Sequence, residues 1–436
     1  MKTIRIRAAG QFLLLTALLV LPALPVRAET LGDAWRLALD RNNSLAAIRS
    51  QADAASAEAG AAQAERWPRL SVDGSYQRFG DAPAFSFPVA GQTFLSPDLV
   101  DDDDFYSARV RLEVPVFTAG RVTASIESAS LGARAAAAVR DGAVQDLKLA
   151  VAVAYVDVLR AGRAVAAASA QVASLDSLVS DIRVMMEQET VAKNDLLAAQ
   201  VTLANARQGL LRAENRQSLA IAGYNRLLGE PLERVPALDD LPMPPPEAGQ
   251  SLESLVTRAA TNRSELSGLE ARANALEQRA RSERASGWPQ VGLMADYQYL
   301  ENQVLDREDF TLVGIGFNWT VFDAGRIRQR SDSFASAGRA ARHDRDDLRS
   351  RIELEVRQVW LDGREARARV QVNREAVEQA EENLRATREQ YAVGLANNTV
   401  VLDAEALRLT AIRNYDDAVL DSVLAGLRLQ RAVGDL

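Results

Sequence analysis

The chain of 436 residues carries 51 lysine and arginine residues against 59 aspartate and glutamate residues, a formal net charge of −8. This acidic balance argues against a nucleic-acid partner. Because the sequence contains no cysteine, it can form neither a disulfide framework nor a lipid-anchored N-terminal cysteine.

The first 28 residues are typical of an export signal. Basic residues at positions 2, 5 and 7 precede an apolar run (12–24), and Val26-Arg27-Ala28 is a cleavage sequence of the small-x-small type. We therefore expect an exported protein whose mature form begins at Glu29. No later apolar run approaches the roughly 20 residues of a membrane helix. These features leave a periplasmic protein, a secreted protein or an outer-membrane barrel.

An internal repeat organises the rest of the sequence. The segment from Leu31 to Leu45 resembles the segment from Leu252 to Leu266, and Trp-Pro dipeptides at 67 and 288 keep the same offset. The sequence predicts repeat 1 over 29–228, with helix 31–65, strands at about 69–80 and 105–117, long helix 121–187 and helix 195–228. A Pro-rich linker (229–250) leads to repeat 2 over 251–436, with helix 252–286, strands at about 290–301 and 309–322, long helix 326–391 and helix 400–432.

The long helices are predicted from the distribution of proline. Proline is absent from 116–230 and from 290–436, and these regions are rich in Ala, Leu, Glu, Arg and Gln. At about 1.5 Å per residue, each long helix spans roughly 100 Å. Leucines spaced seven apart, at 196, 203 and 210, indicate the seam of a supercoiled helix pair. A fibrous coiled coil is the competing interpretation, but it does not account for the strands.

The predicted strands alternate cleanly between apolar and polar residues. Val110, Leu112 and Val114 fall on one face of their strand, whereas Arg109 and Arg111 fall on the other. Runs of about 10 residues with this alternation fit transmembrane β-strands, although a hairpin covering a soluble core is the alternative. Because four strands cannot close a barrel and open sheet edges are not tolerated in lipid, the chain must either oligomerise or not be a barrel at all.

An acidic loop is predicted between the first two strands, at about Gly80 to Asp104. It holds Asp98 and Asp101 to Asp104, which could collect a divalent cation, yet it lacks the ligand spacing and glycine of a calcium loop. A solvated surface loop is the favoured interpretation.

Two short sequences, "VFTAGR" from Val116 and "VFDAGR" from Val321, close the strands and open the long helices. Together with "LGDAWRLALDRNNSL" from Leu31 and "YAVGLANNTVVLDAE" from Tyr391, they give the chain a resemblance to the TolC family of outer-membrane efflux proteins over its whole mature length. The resemblance implies a homotrimer in which each chain gives four strands to a twelve-stranded barrel and its helices to a periplasmic tunnel.

The resemblance also implies partners and site residues. The turn at Val393, Gly394 and Leu395 matches the tip that docks a periplasmic membrane-fusion adaptor, although an ordinary helix–helix turn explains the same residues. In the first repeat Glu189 stands where the family pattern has this glycine, which weakens an adaptor contact there. Asp403 matches an acidic gating position, and Asp195 is its counterpart in the other repeat. Exposed helix surface is the alternative for Asp403, and helix capping is the alternative for Asp195.

The remaining sequence features concern the corner and catalysis. Phe117 and Phe322 are expected at the inner lipid boundary, and Gly120 and Gly325 are expected to allow the change from strand to helix. No catalytic motif, metal site or cofactor site is predicted, and the single histidine, His343, is expected on a solvated helix face.

The sequence therefore predicts a mainly α protein with a transmembrane β portion, in the outer membrane. The hypothesis is a passive exit duct of a tripartite efflux or type I secretion system, opened at its periplasmic tip by an adaptor and an inner-membrane transporter of RND or ABC type. An exported coiled-coil scaffold without a pore is the alternative.

Overall fold

The computed structural model describes residues 28–78, 80, 84–89, 92–98, 104–242, 251–301 and 306–436. Of the predicted export signal, all but Ala28 lies outside the described residues. Within the described ranges, no helix is both long and apolar enough to cross a membrane.

The first repeat is built from four helices and four strands. Its elements are α1 (Leu31–Arg41), α2 (Asn43–Ala64), β1 (Arg69–Arg78), β2 (Ala84–Val89), β3 (Gln92–Asp98), β4 (Asp104–Phe117), α3 (Arg121–Glu187) and α4 (Lys193–Leu228).

The second repeat has the same order without the extra hairpin. Its elements are α5 (Leu252–Asn262), α6 (Ser264–Ala285), β5 (Gln290–Leu300), β6 (Asp309–Asn318), α7 (Arg326–Ala392) and α8 (Asn398–Val433). Helices α3 and α7 each contain 67 residues. At the usual rise, each is about 100 Å long.

The prediction of a single helix over 31–65 is wrong, because Asn42 separates α1 from α2. Asn42 has extended backbone angles (φ −70°, ψ 115°). Its side-chain Oδ1 accepts a hydrogen bond from Leu45 N (3.0 Å) and so caps α2, while its Nδ2 donates to Leu227 O at the end of α4 (2.9 Å). The break therefore receives the C-terminal end of α4.

The prediction of a single helix over 252–286 is wrong for the corresponding reason. Arg263 is extended (φ −70°, ψ 109°) and divides α5 from α6. Its guanidinium donates to Ala432 O near the end of α8 (3.3 Å) and pairs with Glu265 and Glu355. The second repeat thus holds its break with charged groups where the first uses a neutral amide.

Two further predictions, one of a loop and one of a strand end, also need correction. The region predicted as an acidic loop contains the hairpin β2–β3, in which Asp98 pairs with Ala84, and Asp104 begins β4. Residues 101–103 lie outside the described residues. Strand β6 ends at Asn318 rather than at 322, because its partner β5 begins at Gln290, directly after Pro289, which has no amide hydrogen to donate.

The four main strands form one open antiparallel sheet in the order β1-β4-β5-β6. The β4–β5 pairing joins the two repeats, with Arg111 opposite Asp296 and Val110 opposite Tyr297. One face is polar and internally paired: Arg111 Nε donates to Asp296 (2.7 Å), Arg109 to Gln298 (3.1 Å) and Arg69 to Glu113 (2.6 Å). The other face exposes large apolar side chains, namely Val72, Tyr297, Val313, Ile315 and Phe317.

Helix α3 is the central helix of the long bundle. Its N-terminal part packs against α6, where a Cβ on Gly268 would lie 3.0 Å from the Ala138 side chain. Its middle packs against α1 and α4 through fully buried Tyr155, and its C-terminal part packs against α4, α7 and α8. The chain is therefore elongated, with small apolar seams instead of one globular core.

Each strand joins its long helix through a tight turn in which two successive residues have positive φ. Ala119 and Gly120 have φ of 49° and 83°, and Ala324 and Gly325 have φ of 55° and 84°. Arg121 N donates to Thr118 O across the first turn (2.8 Å). This is the geometry of a type I′ turn, which favours glycine.

We expect the substitution Gly120→Ala to destabilise the protein by about 1–2 kcal/mol, because an alanine in the left-handed region carries that steric cost. A Cβ at Gly120 would meet no atom within 4 Å, so the cost is one of backbone conformation. The matched control is Gly132→Ala in the interior of α3, which also meets no atom within 4 Å and which we expect to stabilise by up to about 1 kcal/mol. Unfolding in detergent, followed by circular dichroism, measures both; equal signs for the two variants would contradict the assignment.

Candidate functional site at the helix turns

The ends of the long helices furthest from the sheet carry two similar turns. One joins α3 to α4 (188–192) and the other joins α7 to α8 (393–397). Both helices end in a Schellman motif: Thr190 N donates to Met185 O (3.0 Å) and Leu395 N to Gln390 O (2.8 Å). We call these two segments the first turn and the second turn.

The residue at the left-handed position differs between the turns. Gly394 has φ of 76°, which costs glycine nothing, whereas Glu189 has φ of 59° at the equivalent position. Thr190 supports the strained first turn, because its hydroxyl also donates to Met185 O (2.8 Å). The first turn therefore presents a carboxylate where the second presents bare backbone.

The second turn exposes two apolar side chains. Val393 is 69% exposed and Leu395 is 80% exposed on either side of Gly394, so the three predicted docking residues form one apolar projection. The Asn397 side chain accepts a hydrogen bond from Val400 N (3.2 Å) and caps α8.

The two predicted gate residues occupy different environments. Asp403 lies on α8 and is exposed, whereas Asp195 is half-buried in the first turn of α4. The alternative that Asp195 caps its helix is wrong, because the N-cap is Ala192 and no side chain caps this end. Asp195 is linked to the other helix pair through its backbone, since Asn398 Nδ2 donates to Asp195 O (3.0 Å).

An apolar cluster joins the two helix pairs beside these turns. We call it the tip cluster, and its buried members are Leu175, Leu178, Val179, Ile182, Leu196, Ala199, Leu203, Ala206, Tyr391 and Val401. Burial raises the pKa of the Tyr391 phenol, and the Asp195 carboxylate raises it further, so the phenol is neutral at ordinary pH.

A buried carboxylate beside the tip cluster was not found from the sequence. Glu405 on α8 is only 2% exposed, and it accepts hydrogen bonds from Ser174 on α3 (2.7 Å) and from Arg388 on α7. Arg388 also donates to Ser174 Oγ (2.6 Å). The three residues therefore link three helices. A signal was present in the sequence: Glu405 lies four residues after Val401, and therefore on the same apolar face of α8 that packs against the other helices.

Comparison with known proteins identifies the family. The model of the family described as "Outer membrane efflux protein" matches residues 34–230 and 255–435. The chain belongs to this outer membrane efflux protein family. The predicted resemblance and the predicted location in the outer membrane are thereby confirmed.

Individual relatives agree with this assignment. The chain is 23% identical over 412 residues to the alkaline protease secretion protein AprF of Pseudomonas aeruginosa, covering 93% of this chain and 84% of AprF. It is 23% identical over 422 residues to the outer membrane protein TolC of Vibrio cholerae, covering 94% and 92%. The fold resembles the crystal structure of VceC from Vibrio cholerae, with a TM-score of 0.79, 19% identity and coverage of 93% and 96%.

The corner residues of this family member lie where its sheet meets its helices. Phe117 ends β4 opposite Val291, and Phe322 follows β6 and is 86% exposed. In the second corner the Asp323 carboxylate accepts hydrogen bonds from Gly325 N (2.9 Å) and Ile327 N (2.7 Å), which fixes the start of α7. The first corner has Thr118 at the matching position.

The described residues of this family member contain no group of His, Cys, Asp and Glu side chains arranged to hold a metal ion. His343 is exposed on α7. The family consists of channel proteins.

Removing Arg388 is expected to leave the Glu405 carboxylate buried without its cation. We expect Arg388→Met to destabilise the protein by about 3 kcal/mol, the lower end for a broken buried pair, because Arg388 itself is 40% exposed. The control is Arg385→Met on the same helix, whose pairs with Glu382 and Glu389 are exposed to solvent and are therefore expected to contribute little to stability. Thermal unfolding compares the two; equal losses would contradict the role of the buried carboxylate.

Proposed function

We propose that three copies of this chain form the outer-membrane exit duct of a tripartite efflux or type I secretion system. The duct is passive. Its strands make a twelve-stranded barrel in the membrane, its helices continue the pore into the periplasm, and an inner-membrane transporter of RND or ABC type supplies the energy. The observation that carries the proposal is the open sheet, which has one apolar face, one polar face and two edge strands with a single neighbour each in the part of the chain that the structure describes.

The unfilled edges of the sheet favour assembly. Among the described residues, β1 pairs only with β4 and β6 pairs only with β5. Unpaired backbone amides and carbonyls cost several kcal/mol each in lipid, so the edges require partners. Pairing β1 of one copy with β6 of the next satisfies both edges, and three copies with four strands each close the barrel.

The helices have matching surfaces for the same assembly. Helix α4 exposes Leu211 and Leu219, which we call the α4 stripe, and α7 exposes Leu361 and Val372, which we call the α7 stripe. Leu211 lies about 27 Å from the start of α4 and Val372 about 30 Å from the end of α7, so both lie at a similar height above the turns. The α4 stripe of one copy therefore fits the α7 stripe of the next.

Charge on the α4 stripe is expected to break the trimer. We expect Leu211→Lys combined with Leu219→Lys to shift the detergent-solubilised protein from trimer to monomer, because the lysines would be desolvated between helices. The control is Val235→Lys in the linker, where the side chain is 80% exposed and lies outside the stripe. Light scattering measures the mass; a trimer retained by the double variant would contradict this interface.

The helix turns are the proposed site of opening. The apolar projection at Val393, Gly394 and Leu395 offers a periplasmic membrane-fusion adaptor a contact that the first turn, with Glu189, does not offer. Around a threefold axis, three copies of Asp403 repel one another and attract cations. Asp195 and the tip cluster hold the second turn against the first, and adaptor binding separates them.

Channel recordings test the duct and its gate together. We expect the trimer to conduct ions across planar bilayers, and we expect Asp403→Ala to lower its preference for cations, measured as the reversal potential in a salt gradient. The control, Glu58→Ala on α2, changes an exposed carboxylate far from the turns.

Different results would remove different parts of the proposal. Unchanged selectivity and conductance in Asp403→Ala would remove Asp403 from the gate and leave the duct intact. A wild-type protein that fractionates as a soluble periplasmic monomer and does not conduct would exclude the duct and favour an envelope scaffold.

A further inference from the structure

The segment that follows α4 crosses three helices. We call residues 229–242 the strap. The strap leaves α4 at Gly229, and its Asp240 pairs with Arg163 on α3 (2.8 Å), which also reaches Asp416 on α8 (3.5 Å). Leu241 packs against the cluster formed by Val156, Leu420 and Leu424. The strap therefore ties α4, α3 and α8 together at one level.

One residue far from the strap in sequence holds its middle. The main chain of Glu29 forms a parallel bridge with Leu238: Glu29 N donates to Ala237 O (2.7 Å), and Asp239 N donates to Glu29 O (3.2 Å). This pairing is a short piece of β-sheet added to the edge of the strap.

The Glu29 carboxylate is largely buried and is bound by one hydrogen-bond donor and one cation. Its exposed fraction is 11%. One oxygen accepts a hydrogen bond from Tyr224 Oη (2.5 Å), and the other pairs with Arg234 of the strap. Burial, followed by the hydrogen bond to Glu29, raises the pKa of Tyr224 far above its ordinary value, so this phenol remains a neutral donor.

Two further buried groups complete the site. Tyr155 is fully buried, and its hydroxyl lies 2.8 Å from Glu29 O and 2.7 Å from Asp239 O. Asn225 is also fully buried, and its Nδ2 donates to Leu232 O (3.1 Å) and Arg234 O (2.6 Å). Tyr155 of α3 and Asn225 of α4 thus hydrogen-bond to the backbone of the strap, while Glu29 pairs with Arg234 and forms the bridge with Leu238.

We propose that Glu29 is the pin of the strap: its carboxylate, bound by Tyr224 and Arg234, keeps the strap closed over α3, α4 and α8, and without it the strap opens as a separate unit. The physical reason is that Glu29 makes two of the contacts on which the closed strap depends. The strap has few apolar anchors, and Glu29 supplies both its only bridge partner in the described chain and the counter-ion of Arg234. A segment with few buried contacts opens locally before the whole protein unfolds.

Trypsin reports this opening directly, because Arg234 is itself a cleavage site and Val235, which follows it, is 80% exposed. The protein extracted from the outer membrane in detergent is treated with trypsin, and cleavage after Arg234 is followed by mass spectrometry. When opening and closing are fast, the cleavage rate follows the population of the open form. We expect Glu29→Ala to accelerate cleavage after Arg234 about tenfold or more, the effect of losing a hydrogen-bonded charge pair, with no acceleration after Arg183 near the turns.

Two further variants keep the test decisive. Glu29→Gln preserves the size of the side chain and an acceptor for Tyr224 but removes the charge that binds Arg234, so we expect an intermediate acceleration. Glu58→Ala removes an exposed carboxylate from α2 and is expected to match the wild type. An unchanged rate after Arg234 in Glu29→Ala would overturn the proposal, and so would equal acceleration after Arg234 and Arg183, which would indicate general destabilisation.

Discussion

The backbone of the sheet edges is the constraint on which the rest of this structure depends. In the proposed barrel, two separate strand pairs would leave four edges of amides and carbonyls without partners, and lipid offers none. The duplication meets half of this requirement, because β4 of the first repeat pairs with β5 of the second. Neighbouring copies of the chain are the proposed partners for the remaining edges.

The helices are subject to a different constraint, since elements of about 100 Å cannot bury their surfaces in one globule. Small residues along α3 allow other helices to pack closely on several of its sides. The shorter helices cover successive parts of its length. The breaks at Asn42 and Arg263 make this sharing possible, because each break receives the end of the short helix from its own repeat. Gly229 lies close against Arg41 there, where an added Cβ would be 3.0 Å from a backbone oxygen.

The two repeats have one plan but different chemistry at matching positions. Asn42 corresponds to Arg263, Glu189 to Gly394 and Thr118 to Asp323. The second repeat has the charged helix break, the relaxed turn and the carboxylate that caps the start of its long helix. It also contributes Arg388 and Glu405, two of the three residues of the buried link. The strap and its pin, in contrast, depend on Tyr224, Asn225 and Arg234 of the first repeat and the linker.

The sequence by itself determined the long helices and the four main strands, because those signals are local. Proline placement indicated the long helices, alternation gave the strands their two faces, and the repeat gave their order. Tertiary structure alone decided features that depend on partners distant in the chain. Asn42 interrupts a helix that its neighbours favour, because its side chain hydrogen-bonds to Leu227 O. Glu405 can be buried because Ser174 and Arg388 donate hydrogen bonds to its carboxylate. Glu29 became a pin because Tyr224 and Arg234, some 200 positions away, converge on its carboxylate. Local propensity contains no information about such encounters, since they are set by how the helices pack.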